Sequence, residues 1–415
     1  MINMFIGIIT ARMLGPDGTG HFQVFASTQS IVATVFSLGL GQASIYYINN
    51  KGCAIKNVVN TLIKFYIPLT GIITISIAFL VYFFSDYFGR LSSTCLILYS
   101  VGTSALLFTT SLKAILLADL NVVKIQVVQY VSHIFILAVV LYLFIEHLNL
   151  SVNTLLIIYS IGTIVSALWL LCYFRNDIDW RIKFDKYLFK PLCKLGVMMS
   201  TSNIASIVYL SSPVYALTWF YVQGFNDAGL YSRSLSIMTI ATFTVQSIGP
   251  LLYSKMSSST LEAKLYQARI SAHSFFIFNV VLMVGILLLA PYLIYILYGS
   301  QFAGSTEYLR LLAYTLPFNG VISVGTNLLS SEGMASKVVI SLTIGVLVFW
   351  ITQLIVAMFN IPILVCVSVI LANIATGGCM ITYSKKYFSM SLLDYFPIRF
   401  SEYFNVVKLL YQGIK

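Results

Sequence analysis

Long apolar runs separated by short polar gaps organise this chain. We place twelve predicted spans at 1–14, 21–47, 63–84, 93–117, 122–145, 152–174, 196–221, 229–253, 272–298, 308–330, 337–359 and 362–384. An α-helix rises about 1.5 Å per residue, so roughly 20 apolar residues cross a hydrocarbon core about 30 Å thick. Most of the runs reach that length. The pattern therefore predicts an all-α polytopic membrane protein with about 12 transmembrane helices.

The first run is shorter than the others. Its 14 residues cover about 21 Å of the membrane, and no basic flank marks it as a signal peptide. We expect that the cytoplasmic half of this helix precedes Met1. A naturally short helix is the alternative.

The composition supports residence in a membrane. The chain is 59% hydrophobic and only 9% charged, whereas a soluble protein carries about 25% charged residues. The net charge of +11 would also suit a nucleic-acid partner, but the basic residues lie at the predicted membrane edges and form no basic-aromatic module. We therefore predict that these charges meet membrane lipid and no nucleic acid.

The polar residues form no pattern that is typical of an enzyme. The six cysteines follow no CxxC or metal-ligand spacing, and the four histidines are scattered. The sequence contains no nucleotide-binding glycine motif and no ordered nucleophile, base and acid. We predict no metal, no cofactor and no catalytic reaction.

The 24 Lys and Arg residues alternate between the gaps. Twenty of them fall in every second gap between the predicted spans. Basic residues in short loops mark the cytoplasmic face of a membrane protein, so the alternation predicts an even number of spans and two cytoplasmic termini. Four basic residues fall elsewhere and need another explanation: Arg12, Arg90, Arg233 and Arg310.

The longest polar gap divides the chain into two halves. We predict an N-terminal six-helix bundle over 1–174, a cytoplasmic linker over 175–195, a C-terminal six-helix bundle over 196–384 and a cytoplasmic tail over 385–415. The tail mixes aromatic and basic residues, which suits a short amphipathic helix in the membrane interface. A loosely ordered tail is the alternative.

A short glycine pattern repeats in the two halves. Two glycines separated by four residues, with an aromatic residue two positions on, begin at Gly15 and again at Gly224. The two copies lie 209 residues apart. Because six spans per half preserve orientation, we predict parallel repeats related by an axis along the membrane normal.

Several segments resemble bacterial polysaccharide-unit flippases. They are Ala11-Arg-Met-Leu-Gly-Pro16, Gly20, Gly39-Leu-Gly41, Asp227-Ala-Gly-Leu-Tyr-Ser232 and Leu297-Tyr-Gly-Ser-Gln-Phe302. The sequence thus resembles the Wzx-type O-antigen translocases of the multidrug/oligosaccharidyl-lipid/polysaccharide exporter superfamily. One departure is Tyr215-Ala216, where members of that family often carry an Asp followed by a basic residue.

This resemblance implies two six-helix bundles that face each other across a central cavity. It also implies a substrate in which an O-antigen or capsule repeat unit is linked to undecaprenyl diphosphate. Such a flippase moves its substrate by alternating access from the cytoplasmic to the periplasmic leaflet of the bacterial inner membrane. A polysaccharide polymerase and a chain-length regulator are the protein partners that this role implies.

The diphosphate of such a substrate needs a cation, because an anionic head group does not give up its hydration in hydrocarbon. Arginine suits this role since its planar fork binds phosphate oxygens in pairs. Arg12 and Arg233 are the leading candidates, because each lies beside the repeated glycine pattern. For Arg12 the alternatives are snorkelling to the interface or pairing with Asp17. Arg310 is weaker, because Glu307 lies on the same predicted helical face.

Further residues complete the predicted substrate-binding site. They are Lys64, Lys113, Arg269, Gln42, Asn203, Gln246 and Asn327, with His133 as the predicted coupling residue. The basic members would guide the diphosphate, although topology alone also explains them. The amides would contact sugars, although polar residues of this kind also join membrane helices to one another. His133 titrates near neutral pH, and a hydrogen-bonded histidine within the bundle is the alternative.

Three other functions compete with a polysaccharide-unit flippase. A multidrug or cation exporter of the same superfamily would use buried carboxylates, and the predicted span interiors contain no Asp or Glu. A lipid II flippase is expected to have more spans than the twelve predicted here. A membrane polysaccharide polymerase or glycosyltransferase would show a large extramembrane loop, whereas the longest predicted loop has about 20 residues.

Overall fold

A computed structural model describes residues 2–83, 91–118, 122–179, 184–257 and 260–396. These residues form thirteen α-helices and four short 3₁₀ helices, with no strand among them. The α-helices are α1 (Ile2–Phe36), α2 (Leu40–Lys51), α3 (Ile55–Phe83), α4 (Ser93–Ala118), α5 (Val122–Ile145), α6 (Val152–Tyr173), α7 (Lys186–Phe220), α8 (Gly224–Ser257), α9 (Leu261–Tyr298), α10 (Ser305–Ala313), α11 (Leu316–Ser331), α12 (Ala335–Ala357) and α13 (Val365–Phe388). The 3₁₀ helices are Phe174–Asn176, Ser300–Phe302, Pro362–Leu364 and Leu392–Asp394.

The helices confirm the predicted all-α class. Each of the twelve predicted spans coincides with a helix or with two consecutive helices in the described ranges. Seven helices in these ranges are long and apolar enough to cross a membrane, and two bent pairs raise the number to nine. The predicted spans outside this set lie on α7, which is rich in Ser and Thr, and on the pair α10 and α11.

The first predicted span ends where the structure has a sharp kink. The range of α1 comprises two helices that meet at Gly15, whose φ of 69° and ψ of −179° are not helical. Pro16 follows directly, and because proline has no N–H donor it cannot restore the helical hydrogen bond there. Glycine tolerates this positive φ without steric cost, so the glycine pattern marks the junction between the two helices of α1.

The second predicted span is interrupted by a sharp break. Helix α1 ends at Phe36, and Leu38 and Gly39 follow with φ values of 49° and 62°. The chain then bends by 44° into α2. A Cβ atom on Gly39 would lie 2.2 Å from the carbonyl oxygen of Gly196 in α7. Glycine therefore permits both the left-handed backbone and the close approach of α7.

The chain divides into two compact units, Met1–Ile207 and Val208–Lys415. In the first unit α4 packs on α2, α3 and α6, and α1 packs on α5. In the second unit α12 packs on α13, while α11 packs on α8, α9 and α13. The division falls within α7. This helix begins at Lys186, so the second part of the segment predicted as a linker, 175–195, is helical. The predicted domain limits stay predictions.

Apolar side chains cover the outside of the helices as well as their contacts. On α3, Ile75 is 72% exposed and Tyr82 is 75% exposed. A water-soluble fold buries most side chains of this kind, whereas lipid-facing helices present them outward. Of the predicted tail, residues 389–396 follow α13 and include the last 3₁₀ helix, and residues 397–415 lie outside the described ranges.

Candidate functional site

A cavity of about 280 Å³ lies within the second unit. All seven helices from α7 to α13 contribute to its wall. Its polar side chains are amides and hydroxyls and include Thr242, Gln246, Asn279, Asn319, Ser323 and Asn373. None of the described residues that line it carries a charge. The cavity is therefore suited to a neutral ligand that forms hydrogen bonds.

One face of α8 forms much of this wall. Tyr231, Leu235, Met238, Thr242 and Gln246 recur every three or four residues, which places them on one side of the helix. The Nε2 atom of Gln246 donates to the Thr242 hydroxyl at 3.1 Å, and this hydroxyl donates to the Met238 carbonyl at 3.0 Å. Gln246 is a predicted site residue that the structure places at the cavity.

Asn279 of α9 is the most unusual residue of the wall. It is fully buried, and in the described part of the chain neither its amide nitrogen nor its amide oxygen has a hydrogen-bond partner. Gly320 of α11 packs so closely that a Cβ atom there would lie 3.1 Å from the Asn279 nitrogen. The sequence interpretation missed Asn279, although a lone amide within an apolar run is a signal for a functional group.

Arg233 lies on another face of α8. It is 7% exposed, and its Cζ atom lies 5.8 Å from the ring centre of Tyr298 at the end of α9. The guanidinium also hydrogen-bonds the Tyr298 hydroxyl. Because Arg233 is two residues from Tyr231, it points away from the cavity that Tyr231 lines. Direct contact of Arg233 with a substrate stays a prediction.

Arg12 is exposed on α1, one turn before the kink at Gly15. The carboxylate of Asp17, which follows the kink, lies 3.8 Å from the imidazole of His21. An arginine at this depth of an apolar helix faces a water-filled space or a polar partner. Its predicted contact with a diphosphate stays a prediction. Arg90 lies outside the described residues.

Two predicted basic residues have a different environment from the one expected. Arg310 and Glu307 are both exposed on α10, and no ion pair joins them in the described part of the chain, so the expected pairing is wrong. A partly exposed pair of this kind gains little stability in any case. Arg269 forms an ion pair with Asp394, with 2.9 Å between Nε and Oδ1. This contact gives Arg269 a structural partner in addition to its predicted role.

The other predicted residues are spread over both units. In the first unit Lys64 and Lys113 are half-buried, and Gln42 and Asn203 are exposed on α2 and α7. His133, on α5, is half-buried and hydrogen-bonds the backbone of Gln129, as its structural alternative requires.

Asn327 lies on α11 in the second unit and does not line the cavity. Its Nδ2 atom donates to the Ser323 carbonyl at 3.0 Å. Of the predicted amides, the structure therefore brings only Gln246 to the cavity of the second unit.

A family comparison accounts for most of the chain. The profile of the family described as polysaccharide biosynthesis protein matches residues 1–258. The chain belongs to this family. No curated protein matches the sequence significantly. Membership of the polysaccharide biosynthesis family agrees with the resemblance to polysaccharide-unit flippases at the level of the superfamily.

Solved structures show that the fold of this family member is that of MOP superfamily transporters. An inward-facing multidrug resistance MATE family transporter matches with a TM-score of 0.75 and 14% identity over 94% of both chains. The lipid II flippase MurJ, in an inward closed conformation, matches with a TM-score of 0.66 and 17% identity over 93% of this chain and 88% of MurJ. A MOP superfamily transporter from Pyrococcus furiosus matches with a TM-score of 0.66 and 16% identity over 94% and 91% of the two chains.

These likenesses settle the architecture. This member of the polysaccharide biosynthesis family is a multi-pass membrane protein with about twelve helices in two bundles, as the sequence predicted. The identities of 14% to 17% are too low to carry a substrate from one protein to another. The substrate must therefore be argued from the chain's own residues.

Proposed function

We propose that this protein is a flippase for an undecaprenyl-diphosphate-linked oligosaccharide, such as an O-antigen or capsule repeat unit. It moves the substrate by alternating access from the cytoplasmic to the periplasmic leaflet of the bacterial inner membrane, with both of its own termini in the cytoplasm. The observation that carries this proposal is the family match over residues 1–258. A fold shared with a lipid II flippase supports it.

The exposed charge on α1 supports an anionic substrate. Arg12 lies in an apolar helix and is exposed, where positive-inside sorting gives no reason for a basic residue. A guanidinium there offers paired donors to phosphate oxygens and remains charged at all physiological pH values. Arg12 is therefore the residue that we propose for the diphosphate.

The amides support a sugar-bearing head group. Gln42 and Asn203 are exposed on α2 and α7 of the first unit, and Gln246 is exposed at the cavity of the second. Amides both donate and accept hydrogen bonds, and so do sugar hydroxyls. We propose these three residues as sugar contacts.

The distribution of carboxylates favours this function over cation-coupled drug export. In the described residues, Asp227 and Glu262 lie in the first turns of α8 and α9, and Asp17 lies beside the kink of α1. Asp227 is half-buried and accepts a hydrogen bond from the Tyr308 hydroxyl at 3.1 Å. A drug exporter that couples to a cation would need a carboxylate deeper in its helices.

A complementation experiment tests the proposal. Cells that lack their own repeat-unit flippase receive the parent, Arg12→Ala, Arg12→Lys or Arg175→Ala. Arg175 is an exposed arginine in the 3₁₀ helix after α6 and serves as the matched control. We expect surface polysaccharide with the parent and Arg175→Ala, little with Arg12→Ala, and an intermediate amount with Arg12→Lys, because lysine keeps the charge without the fork.

Expression and membrane insertion are measured for each variant by a fluorescent fusion. If the well-inserted parent produces no surface polysaccharide, the proposed function is wrong. Equal restoration by the parent and Arg12→Ala would instead remove Arg12 from the proposed site.

A further inference from the structure

The cavity of the second unit differs chemically from a diphosphate site. The described residues that line it are apolar side chains, amides and hydroxyls, without Arg or Lys. An anionic group placed there would lose its hydration without a compensating charge. The occupant of this cavity is therefore not an anion.

Asn279 favours a ligand that can form hydrogen bonds in the cavity. Its amide is fully buried, and both the donor and the acceptor side lack a hydrogen-bond partner among the residues that the structure describes. Buried polar groups in folded proteins are paired in the great majority of cases. Gly320 of α11 packs closely against the amide on one side. We therefore expect a ligand in the cavity to supply the missing hydrogen bonds.

Other groups converge on the same space with free hydrogen-bonding capacity. The Nδ2 atom of Asn373 donates to the Val369 carbonyl at 2.9 Å, which leaves its amide oxygen to accept. Likewise, Gln246 uses its nitrogen on Thr242 and keeps its oxygen. The wall thus offers hydrogen-bond acceptors on α8 and α13, and Asn279 offers both a donor and an acceptor.

The volume of the cavity and its hydrogen-bond donors favour a neutral ligand over a cation. A cavity of 280 Å³ would hold about nine waters at roughly 30 Å³ each, which is far more space than one ion occupies. A cation would use only the oxygens and leave the Asn279 donor unpaired. A sugar ring fits better, since its hydroxyls both donate and accept and its C–H faces pack on aromatic rings such as those of Tyr231 and Phe349.

We infer that this cavity is a subsite for one neutral sugar ring of the lipid-linked substrate, with Asn279 as its central contact. The inference rests on the proposed function for the origin of the sugar. It assigns one sugar ring to the second unit, in addition to the sugar contacts proposed at Gln42 and Asn203 and the diphosphate contact proposed at Arg12.

The test uses the full-length protein in lipid nanodiscs. Saturation-transfer NMR detects binding of methyl glycosides of glucose, galactose, mannose and N-acetylglucosamine, and the shift in melting temperature detects binding of inorganic phosphate or sodium chloride, which carry no C–H protons. The variants are Asn279→Leu, Thr242→Val and Thr343→Val. Thr343 is exposed on α12, outside the cavity, and its hydroxyl donates to the Val339 carbonyl, so it is a matched control for Thr242.

We expect at least one methyl glycoside to bind the parent and Thr343→Val equally. Asn279→Leu should weaken this binding by about tenfold or more, because one buried hydrogen-bonding group is lost, and Thr242→Val should weaken it in the same direction. The melting temperature of Asn279→Leu should not fall, since leucine is similar in size and has no unpaired polar atom. This combination of lost binding with retained stability would not result from a purely structural asparagine.

Three results would overturn the inference: no glycoside binds the parent, a glycoside binds all variants equally, or sodium alone gives a response that Asn279→Leu removes. Complementation by the parent separates this failure from that of the proposed function. A parent that restores surface polysaccharide without binding glycosides contradicts only the sugar subsite. A parent that binds glycosides through Asn279 without restoring polysaccharide contradicts only the proposed function.

Discussion

Gly39→Ala should destabilise the first unit more than any other substitution of a single exposed or loop glycine in that unit. Gly39 has a φ of 62°, and a Cβ atom there would lie 2.2 Å from the carbonyl oxygen and 2.9 Å from the carbonyl carbon of Gly196. Both contacts are with backbone atoms, which cannot rotate away as a side chain can. The substitution therefore forces α7 to move relative to the break between α1 and α2.

The loss of stability in Gly39→Ala has two parts, the left-handed backbone and the steric overlap, which can be measured separately. A left-handed backbone costs a non-glycine residue about 1–2 kcal/mol, and forced overpacking costs typically about 1–3 kcal/mol more. We therefore expect Gly39→Ala to lower the free energy of unfolding by about 2–5 kcal/mol. Gly52 has a φ of 65° with nothing within 4 Å of an added Cβ atom, so Gly52→Ala carries only the first part.

Thermal unfolding in detergent tests these expectations. The folded fraction is measured after size-exclusion chromatography from the fluorescence of a fused reporter. Gly71 of α3 has no atom within 4 Å of an added Cβ, so Gly71→Ala should be neutral or slightly stabilising, because alanine favours a helix more than glycine does. The expected order of melting temperatures, from highest to lowest, is Gly71→Ala, Gly52→Ala and then Gly39→Ala. A Gly39→Ala protein as stable as Gly52→Ala would refute the reasoning from the close approach.

Two further substitutions test contacts of the C-terminal segment. Tyr395→Phe removes the 2.7 Å hydrogen bond with the Ser384 hydroxyl from a fully buried site. It should lower the free energy of unfolding by about 1–3 kcal/mol, and the melting temperature should fall. Tyr187→Phe is the control, because this ring is 95% exposed, and it should change the melting temperature little. Arg269→Gln should cost no more than about 1 kcal/mol, because the pair with Asp394 is partly exposed. Asp394→Asn should cost more, because Asp394 also accepts hydrogen bonds from the Ser391 N–H and hydroxyl. In a double-mutant cycle the double mutant should lose less stability than the sum of the two single losses, and full additivity would show that the pair contributes no coupling.

The sequence predicted the helices well wherever hydropathy alone sets their limits. The predicted span 122–145 has the same limits as α5, because apolar residues predominate in that helix and polar residues follow it. Helix α9 begins well before the predicted span 272–298. Its extra turns contain Lys264 and Arg269, which bind Glu332 and Asp394, and no local pattern reveals partners so distant in the chain.

The breaks and the cavity depend on packing that the sequence pattern does not encode locally. The bend at Gly39 is fixed by α7 through Gly196, so a hydropathy run could not locate it. Gln246 was found because it lies on a helix with a polar face. Asn279 and Asn373 are single amides of α9 and α13, and only the assembled bundle brings them to one cavity.

The most direct test of the central claim is transbilayer movement of the proposed substrate. The purified protein is reconstituted into liposomes with an undecaprenyl-diphosphate-linked oligosaccharide, and a membrane-impermeant glycosidase measures the fraction of sugar in the outer leaflet over time. The account predicts that the parent accelerates transfer between leaflets and that Arg12→Ala slows it to near the protein-free rate. Equal rates with and without the parent protein would contradict the account.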